Sequence, residues 1–263
     1  MSPFPQGVTL VIVWTFLSSA LTMAAQTVPA AGLATGVKTV LVELFTSEGC
    51  SDCPPADELL RQIDRKQTGA GKLIVGVSEH VTYWNHLGWS DPFSLDESDQ
   101  RQNAYSEKFG LNGVYTPQMV VNGTVEFVGS DNAKLSAALQ KEDRHPFAVD
   151  IRIASVDLGA NKLNVTFSAD GVFPSQGVEV IAVLADETDR SNVQRGENSG
   201  HTLTHVAVAR SIAKVATLKG AAAESTAQIP LPPLFRKTQS HHLILIAQTT
   251  GTGPVVGADT RSF

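Results

Sequence analysis

The two cysteines of this chain stand three positions apart in "SEGCSDCPPAD", at Cys50 and Cys53. A Cys-x-x-Cys pair can exchange disulfides, ligate a soft metal or close a small structural loop. A bridge across so short a loop restricts the unfolded chain little, so stability is a weak reason for it. Exchange chemistry needs a thiolate, which the free N–H groups and dipole of a helix N-terminus favour.

The flanking sequence predicts that setting. "VKTVLVELF" reads as a buried strand and "KLIVGVS" as a second. Between them Leu59, Leu60 and Ile63 recur at helical spacing. Pro54 and Pro55 fit only the first turn of that helix, where no backbone N–H is required. Strand, helix, strand is a βαβ unit with a parallel pair. Cys50 then lies between strand end and helix start, as the attacking thiolate, and Cys53 one turn on, as the resolving thiol.

The elements that follow supply further candidates. Residues 95–109 read as a helix, Asn122-Gly123 as a type I′ hairpin turn, and Ser130 or Asp131 as the cap of a last helix. Thr116-Pro117 precedes a strand, in the place where thioredoxin-like folds carry a cis proline facing the cysteines; that resemblance implies a Thr116 backbone offered to an extended substrate, with an ordinary trans proline as the plainer reading. Glu43 sits in an otherwise apolar strand, so its carboxylate is a candidate to take the proton of the resolving thiol. Asp52, between the cysteines, should disfavour a thiolate at Cys50. An aromatic insert carries Trp84 and Trp89, expected to shape a substrate groove, with a small core over the sheet edge as the plainer reading. His80 and His86 could complete a Cys₂His₂ metal site, but their spacing fits no standard finger, and no metal is expected.

Beyond "EDRHPF" (residues 142–147) the pattern changes. Short alternating runs recur between polar or Gly/Pro-rich connections, which predicts an antiparallel β-sandwich over 147–263. His201, His205, His241 and His242 fall in this part. They read as surface or hydrogen-bonded histidines rather than a metal cluster. Arg195, Glu197 and Asn198 are candidates for a polar contact between the two parts.

"VELFTSEGCSDCPPAD", "HVTYWNHLGWSDPFS", "VYTPQMVVNG" and "RGENSGHTLTHVAVAR" together resemble the secreted bacterial family called domain of unknown function 1223. The resemblance implies a thioredoxin-like domain over 38–142 and a β-rich domain after it. It carries Glu43, Cys50, Cys53 and Pro117 to a redox site. Glu43 lies seven residues before Cys50, one more than the buried acid of better-known thioredoxins. In a strand, that shift reverses side-chain facing unless a bulge absorbs it.

Bulk properties set the compartment and exclude partners. Residues 8–25 form an uncharged apolar run ending in small residues. Residues 1–25 therefore read as a secretory signal peptide, with a retained membrane anchor as the alternative and 26–37 as a loose leader. The folded part is expected outside the cytoplasm, periplasmic or extracellular, where disulfides persist. The net charge is −6 with no long basic run, so no nucleic-acid partner is expected. Together these readings predict an α/β plus all-β protein: an exported thiol–disulfide oxidoreductase or redox sensor. It would need no organic cofactor and would act on protein or small-molecule thiols and disulfides. A binding module with a permanent disulfide is the competing class, and a metal chaperone a weaker one.

Overall fold

The structure, a computed structural model, describes residues 1–3, 38–233 and 235–263. The expected signal peptide beyond residue 3 and the leader lie outside the described residues. Among the described residues, no helix is long and apolar enough to cross a membrane.

The first part of the chain follows the predicted order. It runs β1 (Thr39–Thr46), α1 (Pro54–Ile63), β2 (Leu73–His80), α2 (Asp96–Phe109), β3 (Gln118–Val121), β4 (Val125–Val128) and α3 (Asn132–Asp143). β1 and β2 pair in parallel, from Thr39–Leu73 to Thr46–His80, and both are buried throughout. β3 joins β1 antiparallel and turns into β4 through Asn122 (φ 47°) and Gly123 (φ 60°), the two positive φ angles that a type I′ turn requires. Asp131 caps α3 by accepting from the Lys134 N–H at 2.9 Å.

The second part is all strand: β5 (Val149–Leu158), β6 (Lys162–Gly171), β7 (Val178–Asn192), β8 (Thr202–Leu218), β9 (Ala222–Pro230), β10 (His241–Thr249) and β11 (Val255–Ser262). Here the structure corrects the expected fold class. The molecule is not a thioredoxin-like α/β domain followed by a separate antiparallel sandwich. One mixed eight-stranded sheet, in the order β11-β10-β7-β8-β2-β1-β3-β4, runs through both parts, and β5-β6-β9 form a second, three-stranded sheet.

The reason lies at the edge of β2. β2 is buried on both faces, and backbone groups on its edge that water cannot reach need a partner. β8 meets that edge through a parallel pairing of Ser78 with Val208. The packing is shared as well: Leu41, Val75 and Val77 join Ile181, Val183, Ile244 and Ile246 in one core. Phe147, from the expected linker, packs against it. Alternation shows which face of a strand is buried, but not which sheet the strand joins.

The layers on either side place the site. α1 and α3 cover one face of β1 and β3 through Val40, Val42, Leu44, Ala56, Leu60 and Leu135. α2 covers the other face through Tyr105, against Phe45 and Val120. The three-stranded sheet packs on β7 and β10, with Phe167 and Ile229 against Leu184 and Leu243. β7 and β8 pair as far as Asn192 and Thr202, so their connecting loop is carried past the sheet to the end of β1.

A chain ending at residue 146 would expose the β2 edge and the Leu41–Val75–Val77 surface. We expect it to lack a cooperative unfolding transition, whereas the full chain loses far- and near-ultraviolet circular dichroism in one coincident step. Two separate transitions in the full chain would contradict the shared core.

Candidate functional site

At the end of β1 the chain turns, with Cys50 N–H donating to Ser47 O at 3.2 Å, and Cys53 becomes the N-cap of α1. Pro54 and Pro55 open the helix, and the Ala56 and Asp57 N–H groups donate to the Cys53 carbonyl. Both cysteines are free and buried. The thiols are unequal. A hydrogen bond from Cys53 lowers Cys50 most; against burial, contacts with Thr116 and the Asp52 and Cys53 backbone help bring it to about 7. Burial above all, and then Cys50 itself, pushes Cys53 far above the thiol range. Asp52 contributes here through its backbone N–H, which lowers Cys50, rather than through the carboxylate considered from the sequence.

The Thr116–Pro117 peptide is cis, and the Thr116 carbonyl lies 3.8 Å from Cys50 Sγ. Trp84 Nε1 donates to Thr116 Oγ1 at 2.8 Å, and Trp89 Nε1 to Glu48 Oε2 at 2.8 Å. Both half-buried indoles therefore brace the segments beside the thiols. Gly49 is pressed against one of them: a Cβ there would lie 3.1 Å from Trp84 Cβ.

Glu43 is not brought to the cysteines. Alternation along β1 turns Val42 and Leu44 toward α1, so Glu43 faces α2 with Phe45. No bulge interrupts the β1–β2 register to reverse this. Glu43 is fully buried, pairs with Arg101 Nε and accepts from Tyr105 Oη at 2.7 Å. Its expected role as base for the resolving thiol is corrected on this geometry. The carboxylate on the cysteine side is Asp57, four residues after Cys53, which accepts from Thr46 Oγ1 at 2.9 Å. Helical spacing from Cys53 was the signal that could have found it.

The second part of the chain grips the cysteine segment. Asn198 Nδ2 donates to Glu48 O and Cys50 O, each at 2.9 Å. Glu197 Oε2 accepts from the N–H and hydroxyl of Ser51 at 3.0 and 2.7 Å. Arg195 takes no part in these contacts. His205, on β8, is buried between two carboxylates, with Nε2 3.3 Å from Glu48 Oε1 and Nδ1 3.6 Å from Asp57 Oδ2. Burial alone would lower this imidazole; Asp57 and Glu48 outweigh it and raise it to about 10, so the ring is charged at neutral pH.

A second pair lies against it. His80 Nδ1 is 2.7 Å from Asp91 Oδ2, and its ring meets His205 edge-on at 4.6 Å. A cleft of about 390 Å³, lined by Pro54, Asp57, Arg61, Thr202, Thr204 and His205, opens beside this cluster.

The remaining histidines lie apart. His86 and His201 are exposed, while His241 pairs with Asp186 at 2.7 Å. Among the described residues, no group of three or more His, Cys, Asp or Glu side chains is arranged to hold a metal ion.

His205→Gln would leave Glu48 and Asp57 buried without their shared cation. We expect a loss of about 3–5 kcal/mol in urea unfolding at neutral pH. The folded-state value lies above the ordinary histidine value, so this contribution is complete below about 6.5 and lost as pH rises through about 10. The gap between wild type and variant should close over that window.

Comparison with known proteins supports the continuity of the two parts. A family model described as "Protein of unknown function (DUF1223)" matches residues 41–248. The crystal structure of protein AGR_C_4864 from Agrobacterium tumefaciens is 27% identical, with a TM-score of 0.64 over 87% of this chain and 96% of that one. HBP35 of Porphyromonas gingivalis is 17% identical, with a TM-score of 0.61 over 88% of this chain and 77% of that one, a likeness of fold. Both likenesses span the two parts, as one joined sheet requires. No curated protein matches the chain.

Proposed function

We propose that this chain, which belongs to the DUF1223 family, is an exported protein that exchanges thiols and disulfides through Cys50 and Cys53. The observation that carries the proposal is the placement of the thiols: Cys53 is the N-cap of α1 with Cys50 just ahead of it, and the cis Thr116–Pro117 peptide sets the Thr116 carbonyl 3.8 Å from Cys50 Sγ. In that setting Cys50 is drawn down to about 7 and Cys53 is held above the usual range. An attacking thiol works best when its pKa lies near the ambient pH, because lowering it further costs nucleophilicity. Its partner must stay protonated until it is needed.

In the exchange, Cys50 thiolate attacks a substrate disulfide R–S–S–R′. A Cys50–S–S–R bond forms and R′S⁻ leaves with the bonding electron pair. Cys53, deprotonated, then attacks Cys50 Sγ, and RS⁻ leaves in turn. The dithiol has become a disulfide, and the substrate disulfide two thiols once the two Cys protons are returned. Substrate oxidation is the same path reversed. The Thr116 carbonyl beside Cys50 Sγ is positioned to meet a substrate backbone, with Pro117 next to it and Trp84 holding the Thr116 side chain. Protein or small-molecule disulfides are the substrates; the residues 8–25 run supports export.

One observation favours a second reading, a binding module with a sealed pair: Cys50 is only 2% exposed, under a loop held by Asn198 and Glu197. The reduction potential separates the two. A value between about −120 and −270 mV fits exchange, and one below about −300 mV fits an inert bridge.

Because Cys53 is the largest influence lowering Cys50, Cys53→Ala should return Cys50 toward its ordinary value near 9. We expect the thiolate absorbance midpoint to move up from about 7, and the thiolate fraction at neutral pH to fall about tenfold or more. An unmoved midpoint would contradict the assigned cause.

A further inference from the structure

Cys53 is buried and holds its proton tightly, yet resolution requires that proton to leave. Glu43, on the far face of β1, cannot take it. We infer that Asp57 is the proton acceptor that serves Cys53, and that His205, supplied by the other part of the chain, positions it as a counter-charge. The inference rests on the exchange reading above.

Asp57 stands one helical turn after Cys53, and its N–H donates to the Cys53 carbonyl at 3.1 Å. Its carboxylate is held by Thr46 Oγ1 at 2.9 Å and faces His205 Nδ1 at 3.6 Å. That nitrogen is buried and, among the described residues, has no hydrogen-bond partner. Both residues line the cleft between α1 and β8, which gives the proton a route to water. The charge on Asp57 is one of the influences that keeps Cys53 protonated, so the two groups already sense each other.

The step balances. With Cys50 in a mixed disulfide, the Cys53 S–H gives its proton to the Asp57 carboxylate. Cys53 thiolate forms the bond to Cys50 Sγ as the Cys50–SR bond breaks, and RS⁻ leaves with the electron pair. Asp57 then passes the proton to water in the cleft, where it neutralises RS⁻. The first transfer moves one negative charge from Asp57 to Cys53 and leaves the total unchanged. The imidazolium of His205 is a counter-charge throughout, so His205 is a positioning residue and Asp57 the proton acceptor.

The other charged groups around the pair are already matched. Glu48 accepts from Trp89 and faces the far nitrogen of His205, His80 pairs with Asp91, and Glu58 pairs with Arg61 on the cleft rim. Arg210 lies over the far side of Phe93.

Dithionitrobenzoate, an aromatic disulfide, tests the assignment because it releases a coloured thiolate at each half-step: the first on attack by Cys50, the second on resolution by Cys53. In Asp57→Asn, which keeps shape and the Thr46 contact, we expect the first release to stay within about twofold of wild type. The second should slow about 100-fold at neutral pH and recover as rising pH ionises Cys53 directly. His205→Gln should slow the second release in the same sense; near-ultraviolet circular dichroism checks its fold, and Asp57→Asn carries the test if it fails. Wild-type rates for both releases in Asp57→Asn would overturn the assignment. A wild-type chain that gives no second release overturns the exchange reading instead.

Discussion

A carboxylate taken out of water must find a cation or give up its charge, and on the cysteine segment two carboxylates face this demand together. Glu48 and Asp57 flank Cys50 and Cys53, both are buried, and both turn to the ring of His205 on β8. The segment between β1 and α1 turns on its own bonds, from Cys50 N–H to Ser47 O and from Cys53 N–H to Cys50 O. It is then fixed from outside by Asn198 on two carbonyls, by Glu197 on Ser51 and by Trp89 and Ser191 on Glu48. The second part of the chain therefore holds the backbone that carries the two thiols.

A second buried acid cluster lies across β1 and solves the same problem differently. Glu43 and Glu79 share one guanidinium, that of Arg101. Burial first, and then the charge of Glu43, pushes Glu79 well above the carboxylate range. Gln248 from β10 accepts from Arg101 and donates to Tyr105, which ties this cluster too to the second part. Buried acids thus lie on both sides of β1, one set facing a cation from β8 and the other a cation from α2.

This arrangement explains which features were legible in the sequence. The βαβ unit, the Asn122-Gly123 turn and the Asp131 cap follow from local patterns: period, φ preference and side-chain reach. The position of Cys50 and Cys53 at a helix start was readable for the same reason. Glu43 stood out because a lone acid in an apolar strand is conspicuous, and its separation from Cys50 already warned that it faces away. His205 was invisible as a partner of Asp57, since nothing in "HTLTHVAVAR" encodes which distant carboxylates it will meet. The expected sandwich failed similarly. β7 and β10 are buried on both faces along most of their paired length, and no local pattern encodes the parallel contact between Ser78 and Val208.

The grip of the β7–β8 loop also fixes an order of events during synthesis. Asn198 reaches Cys50 across 148 residues of chain, and His205 reaches Glu48 across 157. Contacts so distant close late, after the local helices and hairpins. A chain emerging from its N-terminus displays both cysteines long before β8 exists to cover them. For that interval the thiols meet the redox conditions of the compartment unshielded and without the geometry that makes them unequal. The oxidation state in which the pair is first enclosed is thus set by the surroundings of the nascent chain, before the fold has formed around it.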